Sequence, residues 1–196
     1  MRIALIARRG GEDTGLGRYA GQLRAALEAQ GHEVLVVHPA VPVPGRLARG
    51  VRRLLGWDLE AFCSNYPVWA RYPQASIYHV TSQNLATLLL FRPPPGRTVV
   101  TVHDIIPWLV RNDAELRAYK HRTAEWFDRL ALTGLRRAKA IVAVSNYTKQ
   151  TLADTLRIPA HRIHVAYEAV DSEHFRPQEV PQSFRVCYRL EQGIRN

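Results

Sequence analysis

Short apolar runs, too brief for helices, recur along this chain and alternate with segments of helical spacing. The first, Ile3-Ala4-Leu5-Ile6-Ala7, carries no polar residue, as a strand buried on both faces requires. From Leu16 to Gln30, residues Leu16, Tyr19, Ala20, Leu23, Ala26 and Leu27 stand three and four positions apart, and Gly31 follows. That is the pattern of an amphipathic helix and its stop. Val34-Leu35-Val36-Val37 then reads as a second buried strand. Further strands are expected at Ile77 to Val80, Val99 to His103, Ala140 to Val144 and Arg162 to Ala166. Between them, helices are expected over Gln83 to Leu90, Asp113 to Arg137 and Asn146 to Leu156. The alternation predicts an α/β fold: a Rossmann-like, doubly wound parallel sheet with helices on both faces and right-handed crossovers.

The chain's 196 residues suit one good-sized domain, and 46% hydrophobic with 22% charged residues excludes a disordered or collagen-like polymer. Its longest apolar stretch, Leu85 to Phe91, is interrupted by Thr87 and falls far short of the roughly 20 residues a spanning helix needs. The opening apolar run meets Arg8 and Arg9 after five residues, too soon for a secretion signal, so a cytoplasmic location is expected. Cys63 and Cys187 share no motif spacing, which indicates neither a disulfide framework nor a thiolate metal site. Val41-Pro42-Val43-Pro44-Gly45 reads as a rigid exposed linker and Pro93-Pro94-Pro95-Gly96 as a turn into the next strand. Beyond Val170 the periodicity is lost and Pro177 and Pro181 appear. The expected organisation is therefore one domain over 1–177 and a connector over 178–196.

Twenty-seven basic residues against 17 acidic give a net charge of +10, an excess that concentrates anionic partners. Twenty-four of the 27 are arginine, a skew that codon composition can produce, so position has to decide what they do. Arg46, Arg49, Arg52 and Arg53 share a short segment with Leu47, Val51, Leu54 and Leu55, which fall on one helical face. Such a helix either packs on its own domain or lies on an anionic bilayer, with Arg49, Arg52 and Arg53 at headgroup level. Nucleic acid is not expected as a partner, because no run of stacking aromatics interleaves the arginines.

Gly15-Leu16-Gly17-Arg18-Tyr19-Ala20 fits G-x-G-x-x-A, and glycines there let a helix N-terminus approach a diphosphate. Two features oppose a nicotinamide dinucleotide. Seven residues separate Ala7 from Gly15, and the second strand ends at His38-Pro39 without a ribose-binding acid. A sugar or diphosphate site at the same helix end, or glycines that merely turn the chain, remain as readings. His103 and Asp104 close a buried strand, where open parallel sheets bind ligands; the alternative for His103 is an imidazole satisfied by a backbone carbonyl. His161 and His164 read as surface residues, and no metal site is evident.

Taken in order, Gly15-Leu16-Gly17-Arg18, Thr101-Val102-His103-Asp104, Ala143-Val144-Ser145-Asn146-Tyr147-Thr148 and Val170-Asp171 with Phe175 and Pro177 resemble the N-terminal domain of family 4-like retaining glycosyltransferases. The resemblance runs from Met1 to about Pro177 and implies one half of a two-domain GT-B architecture. In it the first domain mainly serves a glycan or lipid-linked acceptor, the second binds the nucleotide-sugar, and neither a cofactor nor a metal ion is needed. It further implies that Gly15, Gly17 and Arg18 approach the donor diphosphate, that His103 and Asp104 lie at the reacting centre, and that Ser145 borders the same cleft. Two departures stand out. No glutamate in this chain is followed by another eight positions later, the spacing found in the family's donor domain, and Ala169 replaces the usual glycine before Val170-Asp171. With Cys187-Tyr188-Arg189-Leu190 resembling the lead-in to a second domain, the expectation is a fragment inactive alone. A free-standing nucleotide-binding module and a basic membrane-surface domain are the alternatives.

Overall fold

In the computed structural model, residues 1–9, 14–40, 43–56, 58–119 and 122–169 are described; the expected connector and Cys187 lie outside them. Six strands form one fully parallel sheet: β1 Arg2–Ile6, β2 Glu33–Val37, β3 Ile77–Val80, β4 Arg97–Val102, β5 Ala140–Ala143 and β6 Ile163–Val165. Their order across the sheet is β2-β1-β3-β4-β5-β6. The chain thus starts inside the sheet, steps to one edge at β2 and returns to the other side of β1. That reversal makes the carboxyl ends of β1 and β3 a topological switch point, where doubly wound sheets open a crevice for ligands.

The apolar runs form the interior for the reason their composition gave. Ala4, Leu5 and Ile6 of β1, Val80 of β3, Val100 and Val102 of β4, and Ile141 and Ala143 of β5 are fully buried, and a buried Leu or Ile side chain contributes about 1.5–3 kcal/mol. The helices are α1 Gly15–Ala29, α2 Gly45–Leu55, α3 Leu59–Asn65, α4 Leu88–Phe91, α5 Ile106–Leu109, α6 Arg122–Leu135 and α7 Asn146–Leu156. Caps fix several starts: Thr14 Oγ1 accepts from Gly17 N at 3.1 Å, Asp58 from Ala61 N at 2.9 Å and Ser145 from Thr148 N at 3.0 Å. Helix α1 is seated lightly, with no residue fully buried, since Gly17, Ala20 and Gly21 offer little surface to pack.

Several expectations need correction. The helix expected over Asp113 to Arg137 is α6 alone, because Asp113 Oδ1 accepts from Glu115 N and Leu116 N and forms a side-chain turn in place of helix. The segment Gln83 to Leu90 opens as a 3-10 turn over Gln83–Thr87 before α4. Strand β4 ends at Val102, and the His103 N–H donates to Gln83 Oε1 at 3.3 Å instead of extending the ladder. A 3-10 turn, Ala160–Arg162, precedes a shortened β6. Helices α3 and α5 had no expectation at all. Pro44, expected in a linker, is the N-cap of α2, while Val41 and Pro42 lie outside the described residues. No described helix is long and apolar enough to cross a membrane.

Candidate functional site

His103 follows β4 immediately, in the row formed by the strands' carboxyl ends. Its Nε2 faces the Thr81 carbonyl oxygen at 3.1 Å and its Nδ1 faces the Glu168 carboxylate at 2.8 Å. Both partners only accept, so an imidazolium satisfies both contacts and a neutral ring satisfies one. The Tyr19 ring from α1 meets the imidazole edge-on, 4.9 Å between centroids. Behind it runs a relay of hydrogen bonds: Tyr19 OH to Thr101 Oγ1 at 2.8 Å, and Thr101 Oγ1 to His79 Nε2 at 2.8 Å. Burial pushes the Tyr19 phenol up and pushes His79 down to about 4. The carbonyl contact expected of a structural histidine is present, but it engages one nitrogen and leaves the other on a carboxylate.

Two cavities flank α1. One, of about 500 Å³, lies between Gly15, Arg18, Tyr19 and Gln22 on the helix and Ala166 to Ala169 beyond β6; it opens beside the His103–Glu168 pair. The other, of about 210 Å³, lies at the switch point, where Arg8, Gly17, His38 and Ser82 line it. A Cβ added to Gly15 would meet nothing within 4 Å, and its φ is not positive, so neither packing nor chain reversal calls for glycine there. A bare first turn admits a ligand close to its N–H groups.

A third cavity, of about 440 Å³, lies on the far side of Gln83 and Asp104, with Asn65, Asn84, Tyr119 and Asp128 on its walls. Asp104 Oδ1 accepts from Ile106 N at 3.0 Å and so starts α5. The buried Asp128 accepts from Tyr119 OH and is hydrogen-bonded to Tyr66. Burial, above all, raises the Asp128 carboxyl, and the same burial with the neighbouring carboxylate raises both phenols.

The structure gives Ser145 an indirect place. Its hydroxyl caps α7 and meets Thr148 Oγ1 at 3.0 Å, while Thr148 Oγ1 donates to the His103 carbonyl at 3.1 Å. Arg49, Arg52 and Arg53 are exposed on α2, and among the described residues only Arg52 of the three makes an ion pair, 3.8 Å from Asp58. His161 and His164 are at the surface, as the sequence indicated. Among the described residues no group of three or more His, Cys, Asp or Glu could hold a metal ion. Cys63 is a free, half-buried thiol whose pKa burial raises.

Residues 14–174 match Glycosyltransferase Family 4. The chain belongs to this glycosyltransferase family. No curated protein matches it. Among solved structures, an alpha-glucosyltransferase in complex with UDP and a 13-mer DNA containing a HMU base is 18% identical, over 87% of this chain and 43% of that one, with a TM-score of 0.45. HepE from Anabaena in complex with UDP is 14% identical, over 97% of this chain and 50% of that one, with a TM-score of 0.45. The chain spans half or less of the length of each.

For this family 4 domain, sequence reading singled out the loop at Gly15 and Gly17 and the strand end at His103 as candidates, and did not single out Arg8, Tyr19, Thr81, Ser82 and Glu168, which the structure places around them. A signal existed for some. Arg8 and Ser82 follow predicted strands within two residues, where ligand contacts concentrate. Glu168 sits just past the last strand, but its partner is 65 positions away and no local pattern joins them.

Proposed function

We propose that this family 4 chain is the acceptor-side half of a retaining glycosyltransferase, with the nucleotide-sugar held by a second domain that faces the carboxyl edge of the sheet. The observation that carries the reading is His103, held at the end of β4 between the Thr81 carbonyl and the Glu168 carboxylate and edge-on to Tyr19 of α1, the helix whose first turn is bare at Gly15. In this reading the donor diphosphate comes to Gly15, Gly17 and Arg18, and the transferred sugar to His103 and Asp104. The acceptor oxygen bonds to the anomeric carbon on the face from which the nucleoside diphosphate departs, and the acceptor proton passes to the departing phosphate oxygen. The helix N-terminus stabilises that developing negative charge, and His103 borders the transferred sugar. The Asn65, Asn84 and Asp104 side chains of the third cavity offer partners to the acceptor's other hydroxyls. Ser145 acts through Thr148 on the His103 backbone. A glycan or lipid-linked acceptor fits this arrangement, and no metal or cofactor has a role in it. The sequence expectation of no nucleic-acid partner draws no support from the neighbours, one of which is in complex with DNA. The test is turnover by the full-length protein against a panel of UDP-, GDP- and ADP-sugars with mixed glycan acceptors: release of nucleoside diphosphate that depends on acceptor supports the reading, and no turnover of any donor removes it.

A second reading concerns where the enzyme works. On α2, Leu47 and Leu54 are 54% and 82% exposed although they share a helical face with Val51, whereas Ala48 is buried. Arg46, Arg49 and Arg53 lie across the helix from that stripe. An apolar stripe left to solvent on a helix whose other face carries arginines matches a helix lying on anionic lipid. Sedimentation with phosphatidylglycerol vesicles should recover the chain at least threefold better than with phosphatidylcholine, and Leu54→Glu together with Arg49→Gln and Arg53→Gln should abolish the difference. Equal recovery from both lipids counts against it.

A further inference from the structure

Helix α6 turns a row of arginine and tryptophan to solvent. Arg122, Trp126 and Arg129 stand four and three positions apart and so share one face. All three are exposed, Trp126 by 55%, while Ala131, Leu132 and Leu135 on the opposite side are buried in the core. Folded domains usually cover most of a tryptophan, whose ring carries a large apolar area. Here the row lines a cavity of about 680 Å³ together with Trp108 and Arg111 from α5 and the turn after it, a size within the roughly 300–1,000 Å³ of small-ligand sites.

Its chemistry has two components, rings and cations. Trp108 is packed against the core, and Arg111 lies over its ring at 4.3 Å while Arg111 Nη1 donates to the Trp108 carbonyl at 2.6 Å. That pair of contacts holds the Arg111 guanidinium in one orientation, which lowers the entropy lost when a ligand arrives. The guanidinium groups of Arg122 and Arg129 make no ion pair or hydrogen bond among the described residues. Glu125 is the one acid of the described lining, and Arg117 Nη2 already holds it at 2.9 Å. Three cations and two indole rings therefore border one space whose carboxylate is engaged elsewhere.

We propose that this face binds an acidic glycan, a chain of carboxylate-bearing sugars. Pyranose rings present apolar C–H faces that pack on indole, and their carboxylates match the planar guanidinium fork. An inorganic anion would use the arginines and leave the rings without a partner; a neutral glycan would do the reverse. A bilayer surface takes aromatic side chains that project outward, whereas Trp108 is half-buried in the wall of a hollow. The position also suits a long acceptor. Asp104, Pro107 and Asp128 line the third cavity and Trp108, Arg111 and Arg129 line this one, so the two flank the packing of α5 on α6. An acceptor with its reacting end in the third cavity would bring the sugars behind that end to the Trp108–Trp126 face. This role as a distal acceptor subsite rests on the transferase reading; binding of the acidic glycan does not.

The test is titration calorimetry of the full chain with an oligogalacturonate and with its methyl ester, which keeps the sugar rings and removes the charge. The oligogalacturonate should bind saturably and at least tenfold more tightly than the ester. Trp126→Ala, and separately Arg122→Gln together with Arg129→Gln, should each weaken it at least fivefold; these side chains are exposed, so the variants should fold. Arg49→Gln together with Arg53→Gln removes the same charge from α2 and should change nothing. No saturable binding, equal affinity for the ester, or an unchanged affinity in Trp126→Ala overturns the proposal. An equal loss from the α2 pair also overturns it, by showing attraction to net charge alone, as does a Trp126→Ala variant that loses sedimentation with phosphatidylglycerol vesicles but keeps the oligosaccharide. Binding without sugar transfer by the full-length protein would remove the acceptor role alone, and transfer to an acidic acceptor with the same KM in Trp126→Ala would remove this subsite and leave the transferase reading in place.

Discussion

At the scale of single residues, His79 shows how the site is held from behind. It is half-buried in β3, shares Thr101 Oγ1 with Tyr19, and is pushed down to about 4 by desolvation. Below pH 6.5 the unfolded chain takes up a proton at this residue that the folded chain refuses until about pH 4, so stability falls as pH drops through that window. A depression of that size corresponds to roughly 3 kcal/mol. Thermal melts between pH 7 and pH 4.5 should show this loss, and His79→Gln should flatten the profile; a His79→Gln profile as steep as the parent's would refute the assignment. None of this was legible in the sequence, where His79 is one histidine inside a four-residue strand. His103 was legible as a candidate, because it closes a buried strand where open parallel sheets bind ligands. Its two partners were not, since Thr81 and Glu168 reach it from 22 and 65 positions away.

At the scale of elements, close packing and terminal geometry carry the predictions. Helix α6 crosses the 3-10 turn over Gln83–Thr87 so closely that a Cβ at Gly134 would overlap the Ala86 carbonyl oxygen. Backbone cannot yield as a side chain can, so Gly134→Ala should destabilise the fold by about 3 kcal/mol or more, read from urea unfolding; a cost below 1 kcal/mol would mean that the two elements separate easily. Arg157 ends α7 at φ 52° in the left-handed region, where a side chain is strained and glycine is not. Arg157→Gly should therefore raise stability by about 0.5–1 kcal/mol in the same assay. Strand positions were readable because the strands are short and mostly apolar, as burial on both faces favours. Helix limits were readable where a cap stood at the start, as at Thr14 and Ser145. They failed where side chains competed for the backbone, as Asp113 does, and at α3 and α5, too short for a period to declare itself.

At the scale of the whole molecule, the sheet order brings the ends of β1, β3 and β4 side by side and so gathers Arg8, Ser82 and His103 from three separate stretches of sequence. Alternation in the sequence predicted the parallel sheet; the reversal of strand order that creates the crevice depends on pairings between distant segments, which no local pattern encodes. In the proposed function, this crevice edge is one wall of a retaining glycosyltransferase with His103 at the reacting centre. The most direct measurement is proton NMR of the glycoside formed by the full-length protein, with rates taken for the parent and for His103→Ala. The product should keep the donor's anomeric configuration and transfer should be at least tenfold slower in the variant; an inverted product, or an unchanged rate in His103→Ala, would overturn the proposed function.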